Sequence, residues 1–376
     1  MALTLGSAAA APVAAQTTEN SFDVIVQEAQ LTTGQVGAQG TIAIAGSSLQ
    51  MRSVQRIANV IRDRKKQQAG STQQASFRMP SATFVATLAS ASDATDEGEF
   101  SRWNAFVDLN YATGDQKLTQ NAPRYDIDGL GVTAGIDYRA SADWVIGGLV
   151  THQTNDNRFI NQLGAVDQES LGVAMLSVWY PGDHWYVDAI ARYSNSDYEI
   201  SRLTSSSATT RAGPGGDDYS LGLGLGYMYQ QGPLSITPKA RVVYIDASID
   251  GYAERDADPS ERLAYLKQSV ASLTSNIGAD TNYVVNTSWG VLIPQGSLEW
   301  VYDFEDEERT VMAQQIETGT QATIAADQRD DNFFRFGLGG LSILPQGNIL
   351  FAWFETELAR DDRNLYSITL GYRREF

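Results

Sequence analysis

From residue 97 to the end of the chain, apolar and polar residues alternate for about ten positions, a turn follows, and the alternation resumes. Side chains along a strand point to opposite faces in turn, so this repeat gives every strand one apolar face and one polar face. In the last strand Tyr366, Ile368, Leu370, Tyr372 and Phe376 fall on one face, and Ser367, Thr369, Gly371, Arg373 and Glu375 on the other. The same division separates Trp103, Ala105, Val107, Leu109 and Tyr111 from Asn104, Asp108 and Asn110, and it recurs at Leu130–Tyr138, Trp185–Tyr193 and Leu221–Tyr229. A transmembrane β-barrel needs this pattern, because one face meets lipid and the other a wet lumen. A soluble β-sandwich alternates too, so a further constraint must separate the two.

Composition removes several alternatives. After residue 20 no stretch approaches the roughly 20 apolar residues of a membrane-crossing helix, so the chain is not an α-helical membrane protein. It has no cysteine and only two histidines, His152 and His184, which leaves no disulfide framework, thiolate metal site or histidine cage. We expect no cofactor, no metal centre and no catalytic set. Absence of cysteine also suits a chain that crosses an oxidising compartment before folding. Residues 97–376 hold 20 Lys or Arg against 39 Asp or Glu, a charge of −19, which argues against nucleic acid as a partner.

Residues 1–16 read as the apolar core and small-residue cleavage site of a secretory signal, lacking the basic start such signals carry. Residues 17–46 read as a short polar segment with β-prone pieces at Val24–Val26 and Thr41–Ala45. A basic helix is expected over 47–68, capped by Ser47 or Ser48, with Arg52, Arg56, Arg62, Arg64, Lys65 and Lys66 set against Asp63. Residues 69–100 read as a flexible linker and 101–376 as the barrel.

Twelve strands follow, at about 101–111, 128–139, 143–154, 169–180, 184–197, 217–230, 234–248, 266–285, 289–304, 331–343, 348–359 and 363–376. Short connections, around Ser141, Gly182, Gly232, Thr287 and Gln346, alternate with longer ones, the last hairpin at Asp361 being tight. Outer-membrane barrels place short turns in the periplasm and long loops outside, and an even strand number returns both ends to the periplasm. A sandwich gives no reason for that order. The predicted fold class is therefore all-β, a 12-stranded antiparallel transmembrane β-barrel of outer-membrane type with a short N-terminal helical segment. The seven tryptophans are expected mostly in aromatic girdles near strand ends.

Over about 280 residues the chain resembles the C-terminal β-barrel, or translocator, domain of autotransporters, the type V secretion proteins of Gram-negative bacteria. The pieces that carry the resemblance are Trp-Asn-Ala-Phe-Val at 103–107, YDIDGLGVTAGIDYR from Tyr125, the hairpin Trp144–His152, GPLSITPKARVVY from Gly232, SLTSNIG from Ser272, WGVLIPQGSLEWVYDF from Trp289, FRFGLGG from Phe334 and the terminal LGYRREF. The resemblance implies an outer-membrane location, contact with outer-membrane lipid and lipopolysaccharide, assembly by the barrel-assembly machinery with periplasmic chaperones, and a monomer. It implies an assembly signal at Phe376, Tyr372, Leu370 and Ile368, with a departure at Arg374, where an aromatic or aliphatic residue is more usual. It also implies a helix inside the pore ahead of the first strand. The basic helix, at +5, fits an acidic lumen, although its linker of about 30 residues is longer than the family's usual direct run.

The functional expectation is a non-enzymatic barrel that anchors its own short N-terminal segment and carries it to the cell surface. At most about 80 residues remain after the signal, without solenoid repeats, a serine-protease motif or G-x-S-x-G, and the chain has no Asn-Asn pair for cleavage within the barrel. No phosphate loop is present to draw on nucleotide energy. The alternatives are a passive porin or structural or adhesin barrel, and, third, a barrel-rim hydrolase built on His152. Carboxylate pairs such as Asp217 and Asp218, Asp330 and Asp331, or Asp361 and Asp362 read as loop solvation, with a loop Ca²⁺ site as the alternative.

Overall fold

The computed structural model describes residues 35–64, 102–119, 121–304, 309–326 and 329–376. The signal reading, the polar segment before residue 35, Lys65, Lys66 and the linker 69–100 lie outside the described residues.

Twelve long strands form the wall. They are β1 Trp103–Gln116, β2 Tyr125–Ser141, β3 Trp144–Phe159, β4 Gly164–Trp179, β5 Trp185–Leu203, β6 Gly215–Tyr227, β7 Leu234–Ile249, β8 Gln268–Tyr283, β9 Gly290–Asp303, β10 Asn332–Ile343, β11 Asn348–Leu358 and β12 Arg363–Glu375. Each pairs antiparallel with its sequence neighbour, and β1 closes on β12 in an unbroken register from Asn104 opposite Glu375 to Gln116 opposite Arg363. Closure leaves no free edge, so the wall satisfies its own backbone groups in lipid.

Several strands run past their expected ends on the long-loop side. β1 extends to Gln116, β2 begins at Tyr125, β3 reaches Phe159 and β4 starts at Gly164, so the wall stands taller there than the apolar alternation indicates. The added residues invert the pattern, with Tyr125, Ile127, Phe159 and Val166 buried inside and Asp126 and Arg158 facing out, which a strand standing above the lipid permits and the lipid-facing alternation does not reveal. Two of the long connections carry further structure: 252–253, 263–265, 310–315 and 321–325 pair into a separate four-stranded sheet. These connections read as plain loops in the sequence because each piece is too short to show a period.

One face behaves as expected. Leu171, Val173, Met175, Leu221, Leu223, Ile368 and Leu370 stand exposed around the outside. Trp103, Trp144, Trp179, Trp185 and Trp289 are exposed as well, near the short-turn ends of their strands or in a short turn, as a girdle requires. Trp353 departs from that expectation: its strand turns it toward the lumen, where the Arg56 guanidinium lies 4.6 Å from its ring centre.

The helix, α1, occupies residues 35–64 of the described chain and therefore begins well before residue 47. Thr41–Ala45 is helical rather than β-prone, and Ser47 is no cap, since its hydroxyl donates to the Ala43 carbonyl one turn back at 3.1 Å. Gly37, Gly40 and Gly46 hide this first half from a propensity reading, each lowering helix preference by about 1 kcal/mol relative to Ala. Packing explains them. A Cβ at Gly46 would stand 2.5 Å from Gln168 Oε1, and one at Gly40 2.5 Å from Val270 Cγ2.

Inside the closing strand, Gly371 receives the Phe351 ring, and a Cβ there would meet Phe351 Cζ at 2.0 Å. Gly371→Ala should therefore overpack the β11–β12 seam by about 1–3 kcal/mol. The expected result is a lower temperature for loss of the compact, fast-migrating species in heat-modifiability gels. A midpoint equal to that of the parent would show that the ring moves aside freely.

Candidate functional site: the pore and its helix

α1 runs through the lumen with a defined direction. Near its C-terminal end Arg64 meets Glu375 of β12 at 2.9 Å, beside the start of β1 and the short turns. At its N-terminal end Val36 packs with Tyr265, Val311, Ala313 and Ile324 of the four-stranded sheet, so that sheet sits over the long-loop mouth. The Gln35 amide donates to the Leu163 carbonyl at 2.6 Å, and Tyr252 and Gln268 both donate to Gln39.

The helix meets two unlike halves of the wall. Toward β8–β12 the contacts are charged. Arg52 reaches Glu355 at 3.2 Å and Glu357 at 3.5 Å, and Arg56 reaches Glu355 at 3.0 Å. Arg62 donates to Asp280 at 2.6 Å and to the Tyr186 hydroxyl at 2.8 Å, with its guanidinium 4.8 Å from the Tyr186 ring centre. Asp63, the helix's one carboxylate among the described residues, accepts from Asn282 and Gln295. Toward the long-loop half of β3–β5 the helix faces an uncharged polar ladder: Asn155 donates to Gln168, and Gln168 donates to Ser196 and Tyr198. Gly46 lies against this amide ladder, where a small residue admits the closest approach.

The wall's own charges are cross-linked. Lys239 bridges Asp280 and Glu299, Arg335 joins Glu299 at 3.2 Å to Glu355 at 3.6 Å, and Arg363 holds Glu357 at 2.9 Å. Arg373 binds Asp137 at 3.0 Å across the closing seam. Charges this well buried persist only when paired, which is why each helix arginine meets a carboxylate rather than bare wall.

Outside the membrane-spanning part the same chemistry tethers loops. Glu261 accepts from the Ser206 and Ser205 hydroxyls and the Ser206 amide, and these bonds hold its carboxyl below the usual range. At the last hairpin, burial opposes ionisation of Asp362, but Arg360 at 2.7 Å outweighs it and keeps this carboxyl low as well.

Arg52, Arg56, Arg62 and Arg64 are thus brought together along one helix in the lumen. The C-terminal residues Ile368, Leu370 and Tyr372 face outward, Tyr372 donates to Asn348 at 2.6 Å, and the Phe376 amide donates to the Trp103 carbonyl at 3.2 Å. Arg374 lies over the Phe376 ring at 5.6 Å. His152 sits on the outward face of β3, 3.9 Å from Glu169 and half exposed. Among the described residues no group of three His, Asp or Glu is placed to hold a metal ion. Sequence reasoning missed the receiving carboxylates, Glu355, Glu357, Asp280 and Glu375; their alternation with outward apolar residues was the available signal.

The family profile described as "Autotransporter beta-domain" matches residues 105–348. No curated protein matches the chain. Among solved structures, the translocator domain of autotransporter NalP from Neisseria meningitidis is similar with a TM-score of 0.60 at 14% identity, covering 77% of this chain and 94% of that one. The β domain of the Bordetella autotransporter Brka gives 0.54 at 17% identity, covering 73% of this chain and 100% of that one. The transport unit of autotransporter AIDA-I from Escherichia coli gives 0.52 at 12% identity, covering 80% and 100%.

Proposed function

Because the chain belongs to the autotransporter β-domain family of outer-membrane barrels, we propose that it anchors and exports its own N-terminal segment, with α1 remaining in the pore afterwards as a plug and no enzymatic step. The observation that carries this reading is the direction of the helix. Its Arg64 end lies with β1 and β12 at the short-turn side, and its Val36 end lies under the sheet built from long loops. Short turns are periplasmic in such barrels, so Gln35, where the described helix begins, lies on the outer side of the pore. A helix whose N-terminus points outward is what remains when a chain has been drawn through from the periplasm.

Assembly would use the outward aromatic and aliphatic residues Ile368, Leu370, Tyr372 and Phe376 as the signal read by the barrel-assembly machinery. The closed wall and ion-paired plug favour a monomer embedded in lipid and lipopolysaccharide. His152 stands on the outward face of β3, half exposed beside Glu169 and turned away from the lumen, which speaks against a catalytic rim built on it.

An epitope tag placed after Thr18 tests the proposal. Antibody and protease applied to intact cells, with a periplasmic marker as control, should reach the tag. A tag reached only after the outer membrane is permeabilised would refute export and favour a porin or structural barrel.

A further inference from the structure

The four-stranded sheet at the long-loop mouth is built from strands of two, three, six and five residues, at 252–253, 263–265, 310–315 and 321–325. Strands this short do not hold together in water without an apolar face packed against something else. The sheet has one such face. Val311 stands opposite Ile324 and Tyr265 opposite Ala313, all four are buried, and Tyr252 stacks on Tyr265 with ring centres 4.8 Å apart. Among the described residues the buried cluster they form takes one member from outside the sheet, Val36 of α1, which is only 1% exposed. Met312, between Val311 and Ala313, faces the other way and is exposed.

Polar contacts reach the same end of the helix. The Tyr252 hydroxyl donates to the Gln39 side-chain oxygen at 2.9 Å, and Arg309, just ahead of the 310–315 strand, donates to the Thr41 hydroxyl at 3.2 Å. A Cβ on Gly37 would stand 3.1 Å from the Ala325 carbonyl oxygen, so the last strand of the sheet presses on the helix backbone itself. The far side of the sheet is fixed to the wall. Arg202 of β5 donates to Glu254 at 2.8 Å, both side chains buried, and the Glu254 amide donates to the Leu263 carbonyl at 2.9 Å. The sheet is therefore anchored on β5 but complete only against α1. We infer that it is a catch: it folds onto the outer end of α1, so that a filled pore closes its own mouth, and drawing the helix back toward the short-turn side first requires the sheet to come apart. The inference concerns the closed pore and stands whether or not the N-terminal segment is exported.

Hydrogen exchange read by mass spectrometry, on the full chain refolded in detergent, follows helix and sheet together. Val36→Asp puts a carboxylate into the apolar cluster and leaves the arginine contacts further along the helix in place. It should speed exchange of the amides in 310–315 and 321–325 at least about fivefold, the low end of a coupling between two sites, with β1 and β12 unchanged. Met312→Asp, on the exposed face of the same strand, should leave those amides as they are. Because such coupling is reciprocal, Ile324→Asp in the sheet should speed exchange at 36–41 while 52–62 stays protected. Each variant is checked for a closed wall by heat modifiability, and the barrel lacking residues 35–64 sets the limit, with its sheet amides exchanging faster still. Sheet amides that stay protected in Val36→Asp or in the deleted barrel would show that the sheet folds by itself, and would overturn the catch. So would an equal loss in Met312→Asp, which marks a fragile loop rather than dependence on the helix, or unchanged exchange at 36–41 in Ile324→Asp.

Discussion

In-frame removal of residues 35–64 should convert a closed barrel into a steadily conducting one. Planar bilayers holding the full chain are expected to pass little current, and those holding the deleted form at least an order of magnitude more, because a twelve-stranded wall encloses more space than its side chains fill. The deletion also strips three net positive charges from the lumen, those of Arg52, Arg56, Arg62 and Arg64 less Asp63. Asp280, Glu355 and Glu375 lose helix partners in the same step. The open pore should therefore prefer cations, read as the sign of the reversal potential across a potassium chloride gradient. Equal current from both forms would show that the loops and the four-stranded sheet, not the helix, close the pore. A preference for anions would mean that the wall arginines at the mouth dominate.

The barrel was legible because its wall must solve a problem with one answer. Outward residues such as Leu171, Val173 and Leu223 meet lipid and inward ones such as Ser170, Ser220 and Thr369 meet polar neighbours, so period-two alternation is enforced wherever the wall crosses the membrane. Above the membrane the rule lapses. The strand extensions 112–116 and 155–159, and the sheet at 252–253, 263–265, 310–315 and 321–325, therefore left no periodic trace. The helix failed differently. Its C-terminal half announced itself through arginines at Arg52, Arg56 and Arg62, but its N-terminal half is held by glycines pressed to the wall at Gln168 and Val270. Contacts between residues more than a hundred positions apart outweigh local propensity there. The same holds for the receiving carboxylates: Glu355 and Glu357 look like ordinary inward residues until β11 is set beside the helix.

Glu355 is the single wall residue on which that arrangement most depends. It accepts from Arg52 and Arg56 on the helix and faces Arg335 on the neighbouring strand, all nearly buried. Arg52 keeps Glu357 when Glu355 is removed, and Arg335 keeps Glu299; for Arg56, Glu355 is the one ion-pair partner found among the described residues. Glu355→Ala should thus leave a buried guanidinium over the Trp353 ring with no carboxylate in ion-pair contact among the described residues, at a cost of about 3–5 kcal/mol for breaking one side of a buried pair. Because that free energy acts on the helix as well as the wall, the closed pore should begin to flicker. Brief openings in bilayer recordings and faster protease cutting within 35–64 are the expected signs. Adding Arg56→Gln to Glu355→Ala should restore much of the lost stability, since the penalty comes from the uncompensated charge more than from the missing contact. The two losses would instead add if Glu355 and Arg56 acted independently, and a quiet, protease-resistant Glu355→Ala barrel would mean that apolar packing of Ile57, Val54 and Ile61 against the wall seats the helix without the ion pairs.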